Sequence, residues 1–215
     1  MSKPLILLAS ASPRRSALLT QIGVLHQVRP VDIDERIQPG EAPAQYVRRL
    51  AIAKAETLWS RLMEQDRQPV LGADTSVALV TQMGHEILGK PADRADGLRM
   101  LRRLSAHTHQ VYTAVALRHA AGCESRLSVS DVTFRALSRT EMEAYWRSGE
   151  PVDKAGGYAI QGQAAQFIER IAGSYTGIVG LPLFETAELL HMIGYPLLNG
   201  PLLDEEGKST GKNAG

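Results

Sequence analysis

"LILLASASPRRSALLTQIG", residues 5–23, decides the fold. The apolar run Leu5–Ala9 has the length of a buried strand. Small residues follow; Ser12 stands where an N-cap belongs, Pro13 suits a first helical turn, and Gly23 ends a helix spanning about 13–21. A strand that passes at once into a helix is the opening of an α/β fold. The joint has one oddity. Arg14 and Arg15 fall in the first helical turn, where the macrodipole is positive and acidic residues are normally favoured. Free backbone N–H groups at such a joint bind anions, and phosphate is the usual occupant. Two arginines there gain charge-assisted contacts once the anion arrives. The other reading is a pair of solvated arginines on an exposed helix face.

Working outward, "HQVRPV" (26–31) reads as a second strand, and "DIDERIQPGEAP" (32–43) as a polar loop. A long helix is expected from Ala44 to about Met63, with Tyr46, Val47, Leu50, Ala51 and Leu58 on its apolar stripe. "PVLGADTSVALV" (69–80) is β-branched enough for a central strand that turns near 82–85. Residues 92–104 make an amphipathic helix, and 109–119 and 124–137 two long strands joined around Gly122. Ser138 with Glu141 forms a capping-box pattern opening a helix over 138–149. "AQFIERI" (165–171) alternates like a strand, and 180–194 closes the chain's ordered part with a helix. The polar, Gly-rich end from Asn199 is expected to be disordered. The fold class is therefore α/β, a mixed central sheet flanked by helices in one domain over 1–198.

Bulk properties bound the function. The chain has 215 residues, 44% hydrophobic and 22% charged, with a net charge of +1 and mean hydropathy −0.15. No global field selects nucleic acid or a membrane surface, so anion binding must come from local placement. No apolar run is long enough for a secretion signal or a membrane span, which points to the cytoplasm. The one cysteine, Cys123, excludes an internal disulfide and reads as a small residue beside a hairpin.

Chemistry concentrates at a few positions. Asp74 sits inside an apolar strand, where an unpaired carboxylate would cost several kcal/mol. It must be paired, ligate a cation or face a cleft; a structural hydrogen bond to its neighbours is the alternative. Asp32, Asp34 and Glu35 cluster in the polar loop and read first as solvated residues. Carboxylates beside phosphates commonly hold Mg²⁺, because that ion prefers hard oxygen ligands. Lys54 and Lys90 supply positive charge, although each alone is an ordinary surface lysine, and Lys154 adjoins the Gly-rich "AGGYAIQG" (155–162), whose backbone can approach a ligand closely. His107 and His109 lie two apart without a third ligand at metal spacing. Neither a dinucleotide fingerprint nor a Walker A loop is present. The residues alone point to an enzyme handling a phosphorylated small molecule with a divalent metal.

In order along the chain, "LASASPRRSALLTQIGV", "YVRRLAIAKA", "VLGADTSVAL", "LGKP", "LSAHTHQVYTAVAL", "EPVDKAGGYAIQGQAAQFIERIAGSY" and "VGLPL" resemble the Maf (septum formation inhibitor-like) nucleotide pyrophosphatases over about residues 4–193. The resemblance implies two lobes around a nucleotide cleft, as in inosine triphosphate pyrophosphatases, a homodimer, and a nucleoside triphosphate substrate cleaved to monophosphate and pyrophosphate. It implies Asp74 as catalytic proton acceptor; Arg14, Thr75 and Gln161 as specificity residues; Ser12, Arg15, Lys54 and Lys90 at the phosphates; and Glu35 with Asp74 on Mg²⁺ or Mn²⁺. It looks like the branch acting on dTTP and UTP. The sister branch for 7-methyl-GTP tends to carry Trp, Gln and Glu at positions 14, 75 and 161. Ala106 departs from the family, which often has Gly there. A regulator of septation that only binds nucleotides is the rival from another class, and the low aromatic content of 5% counts against a nucleic-acid-binding form of it.

Overall fold

The computed structural model describes residues 4–82 and 84–198; the expected disorder from Asn199 lies outside them. The elements follow as β1 (Ile6–Leu8), α1 (Pro13–Gln21), β2 (His26–Val28), α2 (Pro43–Ser60), β3 (Val70–Thr81), β4 (Gly84–Leu88), α3 (Arg94–Leu104), β5 (Thr108–His119), β6 (Gly122–Phe134), α4 (Arg139–Arg147), β7 (Ile168–Ala172), α5 (Tyr175–Val179) and α6 (Leu183–Met192). Seven strands form one sheet in the order β2-β1-β3-β5-β6-β7, with β4 also on β3. β1 is parallel to β2 and β3, and the other pairings are antiparallel. The sheet is therefore mixed, as expected.

One edge of β3 is shared. Val70 and Leu71 pair with Leu7 and Leu8 of β1, whereas residues 77–81 pair with β4. Among the described residues, none forms a strand beside 72–76 on that edge, and this gap opens into the cleft described below. On its other edge β3 runs along β5 without interruption from Val70 to Ala78, so β3 and β5 are common to both sides of the gap.

Alternation along β3 sorts its side chains between two faces. Leu71 and Ala73 pack with Ile6, Leu8, Leu18, Leu19, Leu189 and Leu190 under α1 and α6. Val70 and Ala78 face Val47, Ala51, Ala55 and Leu58 of α2. Beyond the gap, Val77 and Leu79 join Leu101, Leu104, Phe134, Met142 and Tyr145 beneath α3 and α4. Gly72 lets α2 approach unusually closely: a Cβ there would stand 2.2 Å from the Ala51 carbonyl oxygen and 2.8 Å from the Ala55 nitrogen. No helix among the described residues is long and apolar enough to cross a membrane.

Several boundaries differ from the sequence expectation. The strand expected over 26–31 ends at Val28, two residues before Pro30, which has no N–H to offer a ladder. The stretch 165–171 is split: a 3-10 turn covers Gln163–Phe167 and the strand starts at Ile168. There the backbone N–H groups of Gln163 and Ala164 donate to the Glu150 carboxylate instead of a strand. α5 was not expected at all. Ser12 is the N-cap residue of α1, but its side chain makes no capping bond. Ser138 and Glu141 do form the reciprocal capping box on α4. Ala106 adopts φ +59°, a left-handed conformation natural for glycine and strained for alanine by about 1–2 kcal/mol.

Candidate active site

The cleft at the sheet gap has a volume of about 570 Å³. Ser12, Arg14, Arg15, Glu35, Lys54, Asp74, Thr75, Lys90 and Gln161 all border it, so the candidate residues named from sequence converge on one place. Lys154 also lines it, held in an ion pair with Asp153.

At its floor, Asp74 is buried and Lys54 lies over it from α2. The Lys54 Nζ donates to Asp74 Oδ1 at 2.7 Å and stands 2.7 Å from Glu35 Oε1. One ammonium thus joins a carboxylate of the central strand to a carboxylate of the irregular segment between β2 and α2. Burial raises the Asp74 carboxyl above its ordinary pKa, while the charges of Lys54 and Arg15 pull the other way. For Glu35, burial also pushes upward, but the Lys54 hydrogen bond and the charges of Lys54, Lys90 and Arg15 outweigh it and leave the carboxyl low. The two groups are therefore differentiated: Asp74 is the more basic carboxylate and Glu35 the more firmly ionised one.

The arginines of α1 are explained by an element the sequence reading missed. α5 ends beside the start of α1, and its terminal carbonyls accept from both guanidinium groups: Arg14 Nε to Val179 O at 3.3 Å and Arg15 Nε to Gly180 O at 2.8 Å. The negative end of one helix thus offsets the positive end of the other. Gly180 takes φ +128° to turn the chain there. Arg15 also donates to Ser10 Oγ at 3.0 Å and to Thr75 Oγ1 at 3.2 Å. Burial lowers its pKa, opposed by Asp74, yet an arginine stays charged throughout.

Thr75 belongs to a hydrogen-bond chain whose direction can be deduced. Thr113 Oγ1 lies 3.1 Å from Thr75 Oγ1 and 2.8 Å from the Gly177 carbonyl. The Thr113 hydroxyl is the donor on both sides, its one proton shared between the Gly177 carbonyl and Thr75 Oγ1. Thr75 Oγ1 thus accepts from both Arg15 and Thr113, which leaves its own proton for a ligand.

The donor chemistry suits a hard divalent cation. Glu35 and Asp74 reach a common point, now shared through an ammonium, and the cleft leaves room for phosphate and water oxygens. Mg²⁺ commonly takes one or two carboxylates and completes its octahedron in that way. Among the described residues no group of three or more His, Cys, Asp and Glu side chains gathers for a metal, in the cleft or outside it. Glu35 and Asp74 would hold the ion.

Two other candidates have ordinary surroundings. His109 is fully buried, and its Nε2 meets the Tyr158 hydroxyl at 2.7 Å. Cys123 sits one residue past the hairpin glycine, and burial pushes its thiol up to about 11, which keeps it protonated and unreactive. Tyr46, Thr113 and the α5 carbonyls are site components that sequence reading passed over. By sequence Tyr46 reads as part of the apolar stripe, although its spacing of eight from Lys54 puts both on one helix face. Only the β3–β5 register, Thr75↔Thr113, sets Thr113 beside Thr75.

Residues 5–193 match the sequence model of the Maf-like protein family. The chain belongs to the Maf family. Among curated Maf relatives, the dTTP/UTP pyrophosphatase of Aromatoleum aromaticum is 50% identical over 203 residues, covering 89% of this chain and 97% of that one. The enzyme of the same name from Saccharophagus degradans is 52% identical, covering 88% and 89%. That from Alkalilimnicola ehrlichii is 51% identical, covering 87% and 92%. A solved structure, the Staphylococcus aureus Ham1 protein, overlays with a TM-score of 0.49 at 13% identity, covering 88% of this chain and 97% of that one.

Proposed function

We propose that the chain is a nucleoside triphosphate pyrophosphatase that hydrolyses dTTP and UTP to the monophosphate and pyrophosphate. The observation that carries this reading is the floor of the cleft: a buried carboxylate made more basic by its surroundings, ringed by Arg14, Arg15, Lys54 and Lys90. Such a site can take a proton from water and neutralise a polyphosphate at once.

In this reading the triphosphate lies along the start of α1, with Ser12, Arg15, Lys54 and Lys90 on its oxygens and Arg14, beside them, tuning substrate choice with Thr75 and Gln161. Asp74 accepts a proton from the water that attacks the α-phosphorus. The bond from that phosphorus to the α–β bridging oxygen breaks, and pyrophosphate leaves with the electron pair. A divalent ion on Glu35 and Asp74, Mg²⁺ or Mn²⁺, would supply Lewis-acid stabilisation of the phosphate charge. Thr75 offers a hydroxyl donor and Gln161 both a donor and an acceptor, a set that matches a pyrimidine edge bearing N–H and carbonyl groups. The names of the relatives at about half identity support the same substrates. A cytoplasmic homodimer is part of the proposal on family grounds, and light scattering on the purified chain tests the oligomer.

The deciding experiment measures pyrophosphate release from dTTP, UTP, CTP, GTP and 7-methyl-GTP with Mg²⁺ or Mn²⁺. Release from dTTP and UTP is expected, with Asp74→Asn slower by roughly 10²- to 10⁴-fold. Release from 7-methyl-GTP alone would overturn the roles given to Arg14, Thr75 and Gln161. No release from any triphosphate by folded protein would favour a nucleotide-binding regulator.

A further inference from the structure

Glu35 lies in the segment between β2 and α2, which has no helix or strand of its own, and its side chain is 49% exposed. Yet its carboxylate is delivered to a defined point over Asp74. The first two turns of α2 fasten the segment on either side. The Tyr46 hydroxyl donates to the Glu35 carbonyl at 2.9 Å. Arg49 Nη2 donates to the Arg36 carbonyl at 3.1 Å, and the same guanidinium grips Glu41 at 2.6 and 2.7 Å. The Arg49 guanidinium also lies over the Tyr46 ring, 5.6 Å from its centroid. Eight residues on, just over two turns along the same face, Lys54 takes the Glu35 carboxylate itself. One stripe of α2 therefore holds both the main chain and the side chain of Glu35.

We infer that Tyr46 is a positioning residue for the reaction: through its bond to the Glu35 carbonyl it sets the Glu35 carboxylate beside Asp74 and Lys54. The inference rests on the pyrophosphatase reading for its kinetic consequence, and on geometry alone for its structural one. Burial and the charges of Asp74 and Glu35 push the phenol up to about 12, so it stays protonated at neutral pH and acts as a donor, never as a base.

The test is a double-mutant cycle with Tyr46→Phe and Glu35→Gln. Tyr46→Phe keeps the ring and its stacking and removes one hydroxyl. Loss of that bond should lower kcat for dTTP by about three- to tenfold while KM moves by less than about twofold. Binding of Mn²⁺ to the protein without nucleotide, followed by electron paramagnetic resonance, should weaken by a similar factor. The melting curve should stay that of a folded protein. In the Glu35→Gln background, adding Tyr46→Phe should change neither readout by more than about twofold. A fully additive loss, or unaltered Mn²⁺ binding and kcat in Tyr46→Phe, would overturn the inference. Should the wild type release no pyrophosphate, the functional reading fails separately, and the Mn²⁺ cycle still decides the role of Tyr46.

Discussion

His109 sits at the centre of an aromatic cluster, edge-on to Phe134 and Tyr158 at 5.2 and 5.3 Å between ring centroids. Its Nδ1 is buried with no hydrogen-bond partner among the described groups. Its Nε2 shares one hydrogen bond with the Tyr158 hydroxyl, so a second ring proton would find no acceptor. Burial drives the imidazole pKa down to about 3, whereas an unfolded histidine titrates near 6.5. The neutral form therefore stabilises the fold fully above pH 6.5. That contribution is lost as pH falls from 6.5 towards 3, by about 1.4 kcal/mol per unit. Urea unfolding at pH 7.5 and 4.5 should show His109→Phe losing less stability on acidification than the wild type. Equal losses would remove His109 from the acid response.

α2 shows how an element can carry chemistry it does not itself perform. Its Lys54 reaches Asp74 because Gly72 allows the helix backbone to lie against β3. In Gly72→Ala the added methyl would meet the Ala51 carbonyl and the Ala55 nitrogen, and backbone atoms cannot step aside as a flexible side chain can. The helix must lift, so we expect a stability loss of about 1–3 kcal/mol from overpacking, read as a lower urea midpoint. Pyrophosphate release should also drop by more than tenfold, since a misplacement of an ångström is costly in a positioned site. Much of this element was legible in advance: the 3.6-residue period of 44–63 gave α2 its place, and the Ser138–Glu141 pair gave α4 its start. α5 was not legible. Five residues, "YTGIV", hold too little periodicity to distinguish a helical turn from a loop, and without α5 the partners of Arg14 and Arg15 could not be seen. The positions of Asp74, Lys54 and the arginines followed from motif order, whereas the directed chain through Thr75 and Thr113 depends on cross-strand register, which a single sequence does not fix.

At the scale of the whole molecule, the cleft joins three packing clusters through one set of strands. A ligand bound there touches residues from α1, α2, β3 and the Gly-rich segment around Gln161 together, and so stabilises the folded chain as a unit. Using Asp74→Asn to prevent turnover, dTTP with Mg²⁺ at a hundred times its Kd should add about 2.7 kcal/mol. For a chain of this size that is an increase in melting temperature on the order of 5–10 °C, and it should vanish when a chelator removes the metal if the ion bridges ligand and carboxylates. An unchanged melting temperature at saturating nucleotide would count against this cleft as the site. The uninterrupted pairing of β3 with β5 has a mechanical consequence. The two banks of the cleft are not joined by a flexible linker about which they can swing; they are cut into a single stiff ribbon that passes beneath both. Opening wide would require bending two hydrogen-bonded strands together. A nucleotide therefore enters a slot cut into one continuous ribbon, not a jaw that closes between two hinged halves.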